Sequence, residues 1–270
     1  MKTSFLTYGA NGFERNAHHL CESALRCGFD RVECAGIKTI AGTEFARRNR
    51  ATLSLKRGGG YWVWKPYLIR ERVNQLREGE ILLYSDAGRT EYYQFMSFPA
   101  CLLDRTARSK QGFLTGVSIP HLNLVGQATK RDCLKIMKAD MTAIHKKPII
   151  QSTWSVWTKT RPALNFLDEW LRFSEDTRCI TDIPNTLGDD NLPGFVDHRH
   201  DQSISSILTH QLCAPYLDFS SRLVQQILNL RPNSELGQTF YKRVQNADDL
   251  LSGATPAILL REYLRLRNFR

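Results

Sequence analysis

One aspartate stands where α/β enzymes present a carboxylate at the edge of their sheet. Residues 81–84, Ile-Leu-Leu-Tyr, form a continuous apolar run that predicts a buried strand. Ser85, Asp86, Ala87 and Gly88 follow at once. A carboxylate there needs a cation or hydrogen bonds, and ligands bind beyond the carboxyl ends of parallel strands. We therefore predict Asp86 at the centre of an active site, as a metal ligand or catalytic group. The alternative is an Asx-turn cap.

A second polar cluster comes late in the chain. Residues 198–202 read His-Arg-His-Asp-Gln and precede an apolar helical pattern that includes Ile204 and Ile207. The cluster therefore predicts a helix start, with Asp201 or Ser203 near the N-cap. Two histidines and an acid could supply a metal ligand and a catalytic carboxylate, and we expect them to meet Asp86 in space. Their spacing does not fit a closed zinc site. The alternative is a capping cluster with solvated histidines.

A run of three glycines, residues 58–60, precedes several aromatic residues. These are Tyr61, Trp62 and Trp64. Three glycines suggest a close backbone approach to another group, and the rings could stack on a base or a sugar or simply fill the core. Lys65 and Pro66 then begin a predicted helix, with the proline in the first turn. Lys65 is placed to meet a phosphate together with the free N–H groups of that helix end.

The N-terminal elements predict a parallel sheet. Residues 4–8 read as a strand, residues 9–12 as a glycine-containing loop, and residues 30–35 as a second strand after an amphipathic helix. Strand, helix and strand form a βαβ unit. The loop is a candidate nucleotide contact through Tyr8, Gly9 and Asn11, although it is not a G-x-G-x-x-G fingerprint. A plain strand-to-helix turn is the alternative.

The remaining elements alternate in the same way. The pattern predicts a helix within residues 44–56, strands at 112–119 and 154–157, a helix at 129–141 and a helix from Thr160. The last helix carries a buried apolar stripe and is interpreted as scaffold. Residues 181–197 form an irregular acidic loop, and long loops inside compact domains are usually functional. We predict a lid or an acceptor-binding loop there.

Composition narrows the class of protein. The 270 residues are 42% hydrophobic and 24% charged, which is typical of one large globular α/β domain or of a domain with a helical appendage. The net charge of +10 suits nucleic acid, a phosphorylated donor or an anionic membrane surface, or serves solubility alone. Seven scattered cysteines without a C-x-x-C pair favour a reducing cytosol over a disulfide framework. The sequence shows neither a signal-peptide pattern nor a membrane-spanning run.

The last fifty residues differ in character from the rest. Residues 221–270 combine many arginines with an apolar run at 258–266. We therefore predict a catalytic domain at 1–220 and a basic helical extension at 221–270. The extension either packs on the domain or docks on an anionic membrane or a partner. The expected location is cytoplasmic, at the inner face of the membrane if the extension docks there.

The order of these features resembles the GT-A-fold glycosyltransferases that use nucleotide sugars. The similarity covers roughly residues 1–215 and rests on the βαβ opening, the Gly-Tyr-Trp-Val-Trp-Lys-Pro-Tyr-Leu-Ile segment, the Leu-Leu-Tyr-Ser-Asp-Ala-Gly strand end and the late His-Asp-Gln. His200-Asp201-Gln202 is similar to the H-D-Q element of the galactosyl- and mannosyltransferase branch and of bacterial surface-polysaccharide transferases. The strand end resembles the position of the D-x-D motif, but Asp86 is the one acid present there.

The resemblance implies a fold and an activity. The expected fold is α/β and GT-A-like (Rossmann-like), with a mixed, mainly parallel sheet flanked by helices. The expected reaction transfers a sugar from a nucleotide-diphosphate donor to a hydroxyl of a glycan or glycolipid acceptor, in surface-polysaccharide biosynthesis. The leaving group is anionic, so the enzyme must stabilise it with a metal or with cations.

The resemblance also implies roles for individual residues. Donor-binding residues would be Tyr8, Gly9, Asn11, Tyr61, Trp64, Lys65, Ser85 and Asp86. Acceptor-binding residues would be Trp154, His198, Asp201 and Gln202. Asp201 and Asp86 would be catalytic, with Asp201 as the base of an inverting enzyme. Mn²⁺ or Mg²⁺ would be held by Asp86 and His200 with the donor diphosphate, or Lys65 and other basic groups would neutralise the diphosphate without a metal.

Two other functions fit the composition less well. A nucleotidyl or phosphosugar transferase of similar topology would show a glycine-rich signature with Arg and Lys directly after the first strand, which residues 8–11 lack. A non-catalytic module for nucleic acid would interleave basic residues with exposed aromatics, whereas the aromatics here fall in predicted strands and on apolar helix faces. We therefore expect a glycosyltransferase that does not bind nucleic acid.

Overall fold

A computed structural model describes residues 1–88, 100–118 and 123–218. The predicted basic extension at 221–270 lies outside these residues, as does the end of the strand predicted at 112–119. Across the described ranges, no helix is both long enough and apolar enough to span a bilayer.

The described strands form a mixed sheet and a short separate pair. They are β1 (Thr3–Tyr8), β2 (Arg31–Ala35), β3 (Ile81–Ser85), β4 (Phe113–Leu114), β5 (Val117–Ser118), β6 (Trp154–Thr158) and β7 (Leu217–Asp218). The larger sheet has the order β2-β1-β3-β6-β4, and β5 pairs with β7. β1 is parallel to β2 and β3, whereas β6 is antiparallel to β3 and β4. The predicted βαβ opening is therefore confirmed, and β6 is the reversed strand in the sheet.

Helices cover both faces of this sheet. The described helices are α1 (Glu14–Arg26), α2 (Ile37–Ile40), α3 (Glu44–Arg48), α4 (Arg50–Leu53), α5 (Gly58–Tyr61), α6 (Trp64–Gln75), α7 (Ala100–Arg108), α8 (Arg131–Ile136), α9 (Thr142–His145), α10 (Arg161–Ser174), α11 (Thr177–Ile180) and α12 (Asp201–Gln211). A mixed α/β sheet flanked by helices is compatible with a Rossmann-like fold, and the GT-A assignment stays a prediction.

Three predicted elements are shorter or more divided than expected. The helix within residues 44–56 is split at Asn49, whose amide donates to the Phe45 carbonyl at 3.0 Å and to the Glu175 carboxylate at 2.7 Å. The strand at 112–119 breaks between β4 and β5 at Gly116, where φ is +139°. The helix at 129–141 is limited to α8, and Lys138 just beyond it has a φ of +52°. The apolar periodicity predicted longer elements than the structure has. Residues with positive φ angles end or interrupt two of them, and a side-chain hydrogen bond to the backbone interrupts the third.

Strand β3 is buried on both sides, as its apolar run predicted. All five of its residues are buried. Because side chains alternate along a strand, Leu82 and Tyr84 join the core cluster that includes residues of α6, α10 and α12. Ile81 and Leu83 join the opposite cluster, which includes residues of α1 and Leu103 of α7. The end of β3 is therefore held between two packed layers.

Helix α10 is more than scaffold. Its start is fixed by Thr160, whose hydroxyl accepts a hydrogen bond from the Ala163 N–H at 3.2 Å. Its predicted stripe contains Phe166 and Trp170, which are both fully buried. The Trp170 indole also donates to the main-chain carbonyl of Asp201 at 3.1 Å. The helix thus packs the core and fixes the backbone at one of the predicted site residues.

The glycine run forms a left-handed turn that packs against the protein itself. Five consecutive residues, 58–62, have positive φ angles. A side-chain carbon on Gly60 would lie 2.7 Å from the Leu53 Cα, and one on Gly58 would lie 2.5 Å from the Trp62 ring. The predicted close approach therefore involves helix α4 and the neighbouring indole, and it sets the entry of the chain into α6.

We expect Gly60→Ala to destabilise the protein more than Gly79→Ala. Both glycines have positive φ angles, but a side-chain carbon at Gly79 meets no atom within 4 Å. Gly79→Ala should cost about 1 kcal/mol of unfolding free energy from backbone strain. Gly60→Ala adds a backbone clash and should cost roughly 3 kcal/mol. Urea denaturation of both variants measures the difference, and equal losses would contradict the packing role of Gly60.

Candidate active site

A buried lysine joins the two acids that the sequence singled out. The Lys65 ammonium lies 2.7 Å from Oδ2 of Asp201 and 3.1 Å from Oδ1 of Asp86. It also lies 3.4 Å from the carbonyl oxygen of Ser152. Its side chain is 3% exposed, so the charge is almost completely removed from water. A buried ammonium needs such partners because burying an unpaired charge is very costly.

Asp86 is positioned by the strand pair that it terminates. Its N–H donates to the Thr153 carbonyl at 2.7 Å, which continues the β3–β6 pairing by one residue. Tyr84 and Asp86 lie on the same face because they are two residues apart. The Tyr84 hydroxyl donates to Oδ1 of Asp86 at 2.6 Å. Among the described residues the Asp86 carboxylate bonds to Tyr84 and Lys65, so the alternative of an Asx-turn cap is wrong.

Asp201 is positioned by an unusual backbone turn. It is the first residue of α12, and His200 before it has φ +55° and ψ −122°. Non-glycine residues rarely adopt such angles, which cost about 1–3 kcal/mol where they occur. The turn directs the Asp201 carboxylate to Lys65 while His200 packs between other rings. The helix start predicted at this cluster is confirmed.

The electrostatics of the three groups are unequal. Burial raises the pKa of Asp201 to about 6, Asp86 adds to the rise, and Lys65 opposes it. Burial would lower the pKa of Lys65, but the two carboxylates raise it above its ordinary value. The Asp86 side chain is 24% exposed, against 6% for Asp201. Asp86 is therefore the more accessible carboxylate, and Asp201 takes up a proton at about pH 6.

A cavity of about 170 Å³ opens at these groups. It lies beyond the carboxyl end of β3, where ligands bind in α/β sheets. It is lined by Arg57, Trp62, Lys65, Asp86, Ser152, Thr153, Arg199, His200, Asp201 and Gln202. The sequence clusters around Asp86 and Asp201 thus meet in space. Arg57 and Arg199 are each about half exposed, at 53% and 52%, so they keep guanidinium donors open to the cavity.

Both histidines of the polar cluster are buried, so the alternative of solvated histidines is wrong. His198 uses both ring nitrogens, since Nε2 lies 2.7 Å from the Cys179 carbonyl and Nδ1 accepts from the Lys130 N–H at 3.4 Å. His200 uses Nδ1, which lies 2.9 Å from the Ile180 carbonyl. Burial lowers the pKa of both rings below the ordinary value. They are neutral at pH 7.

The second nitrogen of His200 is held differently. With Nδ1–H donating to a carbonyl, Nε2 carries the lone pair. Nε2 is buried without a hydrogen-bond partner among the described residues, and the nearest acid is Asp182, whose Oδ1 is 3.8 Å away. Trp62 stacks on the ring with centroids 5.5 Å apart. His200 lines the cavity, but its Nε2 atom is itself buried.

The residues do not fit the predicted Mn²⁺ or Mg²⁺ site at Asp86 and His200. The Lys65 ammonium occupies the space between the two carboxylates, at 2.7 and 3.1 Å from their oxygens, and would repel a divalent cation there. Within residues 1–88, 100–118 and 123–218, no three His, Cys, Asp or Glu side chains are grouped to hold a metal ion. The Lys65 ammonium is itself the cation of this site.

Four residues predicted to bind the donor do not line the cavity. The Tyr8 and Trp64 rings are buried and stack with centroids 3.7 Å apart, and the Trp64 indole donates to the Gly58 carbonyl. Gly9 packs against α1, where an added side-chain carbon would lie 2.7 Å from the Cβ of Ala17. Asn11 lies beside Gly59. Helix packing and ring stacking explain Tyr8, Gly9 and Trp64, whereas Asn11 is exposed in a turn.

Three further predicted residues lie near the cavity without lining it. Ser85 is buried and pairs across the sheet with Trp154, which packs on the opposite face. The Tyr61 hydroxyl donates to Asp182 at 3.1 Å, and its ring meets the edge of His200. Sequence reasoning gave no site role to four lining residues, namely Arg57, Ser152, Thr153 and Arg199, and it left Trp62 between stacking on a ligand and filling the core. Arg57 adjoins the glycine run and Arg199 lies within the 198–202 cluster, and these positions were the available signal.

No protein-family model, curated protein or solved structure matches the chain. The chemistry of the site is therefore the basis for assigning a function.

We expect Lys65→Met to be strongly destabilising at neutral pH. Removing one partner of a buried ion pair typically costs about 3–5 kcal/mol. Lys65 lowers the pKa of Asp201, so its loss should raise the folded-state pKa further above the ordinary 3.8. The folded state then binds more protons than the unfolded state, and stability falls as pH rises. The deficit should shrink as the pH is lowered from about 7 to about 4, measured by denaturant unfolding.

The double variant Lys65→Met/Asp201→Asn is the matched control. It removes the acid whose pKa would rise, so its stability should depend less on pH than that of Lys65→Met. A Lys65→Met deficit that is the same at both pH values would show that the lysine contributes packing and not charge compensation.

Proposed function

We propose that this protein is a glycosyltransferase that moves a sugar from a nucleotide-diphosphate donor to a hydroxyl of a glycan or glycolipid acceptor. One observation carries the proposal: the buried Lys65 ammonium lies between Asp86 and Asp201 in a cavity that two half-exposed arginines also line. Sugar transfer needs a proton acceptor beside an anion-stabilising site. The resemblance of the surrounding motifs to nucleotide-sugar enzymes supports the same reaction, and the role in surface-polysaccharide synthesis rests on it alone.

The arginines suit the diphosphate of the donor. Arg57 and Arg199 pair with Asp182 and Asp197 through one edge of each guanidinium. A guanidinium has five N–H donors and binds phosphate oxygens in a bidentate manner. Half of each side chain is exposed, so donors remain for a ligand. Lys65 lies at the inner end of the cavity, where Asp86 and Asp201 balance its charge.

The reaction divides between the two carboxylates. An acceptor hydroxyl oxygen forms a bond to the anomeric carbon, and the bond from that carbon to the diphosphate oxygen breaks with its electron pair. The hydroxyl proton passes to Asp201, whose raised pKa of about 6 suits a base near neutral pH. The more exposed Asp86 binds the hydroxyls of the reacting sugar. Arg57 and Arg199 stabilise the negative charge that develops on the diphosphate.

Trp62 completes the binding of neutral groups. Its ring stacks on His200 and lines the cavity, where it presents an apolar face to a sugar. A cavity that combines one aromatic face with a few fixed polar groups is typical of small-molecule sites.

We expect a nucleoside diphosphate to stabilise the protein without added metal. Thermal unfolding is measured with UDP, GDP and CDP, each with Mn²⁺ and with EDTA. A ligand at 100 times its dissociation constant adds about 2.7 kcal/mol of stability. Arg57→Gln and Arg199→Gln should each weaken binding about tenfold, because hydrogen bonds between charged groups contribute about 1.5–3 kcal/mol.

Arg161→Gln, an exposed change at the start of α10, is the control and should leave the binding unchanged. No shift with any nucleotide would overturn the donor site. A shift that requires Mn²⁺ would overturn the role of Lys65 as the cation of the site.

We expect Asp201→Asn to slow chemistry while leaving donor binding intact. The rate is the release of nucleoside diphosphate from whichever nucleotide sugar binds. Loss of a general base typically lowers kcat by about 10²–10⁴-fold. The wild-type rate should rise with pH through about 6, where Asp201 loses its proton, and this limb should be absent in the variant.

The matched control is Asp104→Asn on α7, an exposed acid paired with Arg108. It should keep the wild-type rate and pH profile. An Asp201→Asn enzyme that keeps its kcat would exclude Asp201 as the base.

A further inference from the structure

A second cavity lies beside the first and is formed mainly by the acidic loop predicted at 181–197. Its volume is about 240 Å³. It is lined by Arg57, Lys130, Asp182, Ile183, Pro184, Asn185, Asn191, Phe195, Asp197 and His198. Arg57 lines both cavities. A molecule in the second cavity would therefore lie next to the reacting groups of the first.

Lys130 is the buried charged side chain of this cavity wall. The residue is 3% exposed, and its ammonium donates to the carbonyls of Ile183 at 2.7 Å and Thr181 at 3.4 Å. No carboxylate of the described residues lies within 4.0 Å of it, in contrast to Lys65. An ammonium has three N–H donors, so one donor and a full positive charge remain for a ligand. Burial lowers the pKa of this lysine, as expected for a charge without an anionic partner.

The cavity is preformed because its loop is tied down. The buried carboxylate of Asp132 accepts hydrogen bonds from the Thr186 N–H at 2.6 Å, the Thr186 hydroxyl at 2.8 Å and the Leu187 N–H at 3.1 Å. The Asn185 side chain accepts from the Asp132 N–H at 3.1 Å. These bonds are made within the protein, so ligand binding does not have to order the loop.

The remaining wall combines amides, apolar surface and the carboxylates of Asp182 and Asp197, which pair with Arg57 and Arg199. Asn191 accepts hydrogen bonds from the Arg131 N–H and from the Asn185 amide through its oxygen, which leaves its own NH₂ group free of those contacts. Phe195 and Pro184 supply apolar surface. An aromatic face, amide donors and one buried cation suit a pyranose ring that carries an anionic group.

We propose that the second cavity binds an anionic sugar unit of the acceptor, with the carboxylate or phosphate of that sugar paired to Lys130. The name acceptor rests on the proposed function, whereas the binding site itself does not. The acceptor chain would pass Arg57 and present its reacting hydroxyl to Asp201. A neutral sugar would leave the Lys130 charge unpaired and would bind more weakly.

Binding of small sugars to the full chain, without nucleotide, tests the site. Saturation-transfer NMR titrations use glucuronate, galacturonate, glucose 6-phosphate and glucose. We expect at least one anionic sugar to bind about tenfold or more tightly than glucose, and the uronates and the phosphate distinguish the two sources of charge. Lys130→Met should abolish that preference. Phe195 is a half-buried loop residue. Phe195→Ala should weaken binding of the anionic sugar several-fold, and it leaves the Lys130 charge in place.

Thermal shifts with nucleoside diphosphate keep the two proposals apart. Both variants should retain the wild-type nucleotide shift, which also shows that they are folded. Anionic sugar binding without any nucleotide shift would support this cavity while the proposed donor site fails. Equal binding of glucose and the anionic sugars, no sugar binding, or unchanged binding by a folded Phe195→Ala protein would overturn the second site.

Discussion

The burial of one ammonium group constrains the three elements that meet at the first cavity. Moving such a charge out of water costs several kcal/mol even after relaxation. Lys65 recovers that cost from Asp86 at 3.1 Å and Asp201 at 2.7 Å. These residues come from the start of α6, the end of β3 and the start of α12. The three elements must therefore converge for the core to close around the lysine.

This convergence is accompanied by backbone strain on both sides of the lysine. Residues 58–62 all have positive φ angles before α6, and His200 has a φ of +55° before α12. Tyr61 and Trp62 are not glycines, so their left-handed angles carry a steric cost. Their rings meet His200, with centroids 4.9 and 5.5 Å away. The two strained turns thus support each other through aromatic contacts.

The same turns connect the two cavities. Asp182 binds the Arg57 guanidinium at 2.9 Å and the Tyr61 hydroxyl at 3.1 Å, and so links the acidic loop to the glycine turn. His200 lines the first cavity and His198 lines the second, and their ring centroids are 5.0 Å apart. Lys65 is neutralised by two acids. Among the described residues, the hydrogen-bond partners of the Lys130 ammonium are main-chain carbonyls. The proposed division between a reaction centre and an anion-binding subsite follows from this difference in pairing.

The sequence by itself determined the local features of the site. The apolar run before Asp86 is a buried strand, Lys65 and Pro66 begin a helix, and His200-Asp201 begins another, because strand burial and helix starts depend on neighbours in the chain. Only the tertiary structure decided which groups meet. It placed the Lys65 ammonium against Asp86, one of the two predicted metal ligands, and it stacked Tyr8 and Trp64 on each other. Pairing of charges and stacking of rings depend on contacts between elements that are far apart in the chain. Composition and periodicity do not specify which of these elements come together.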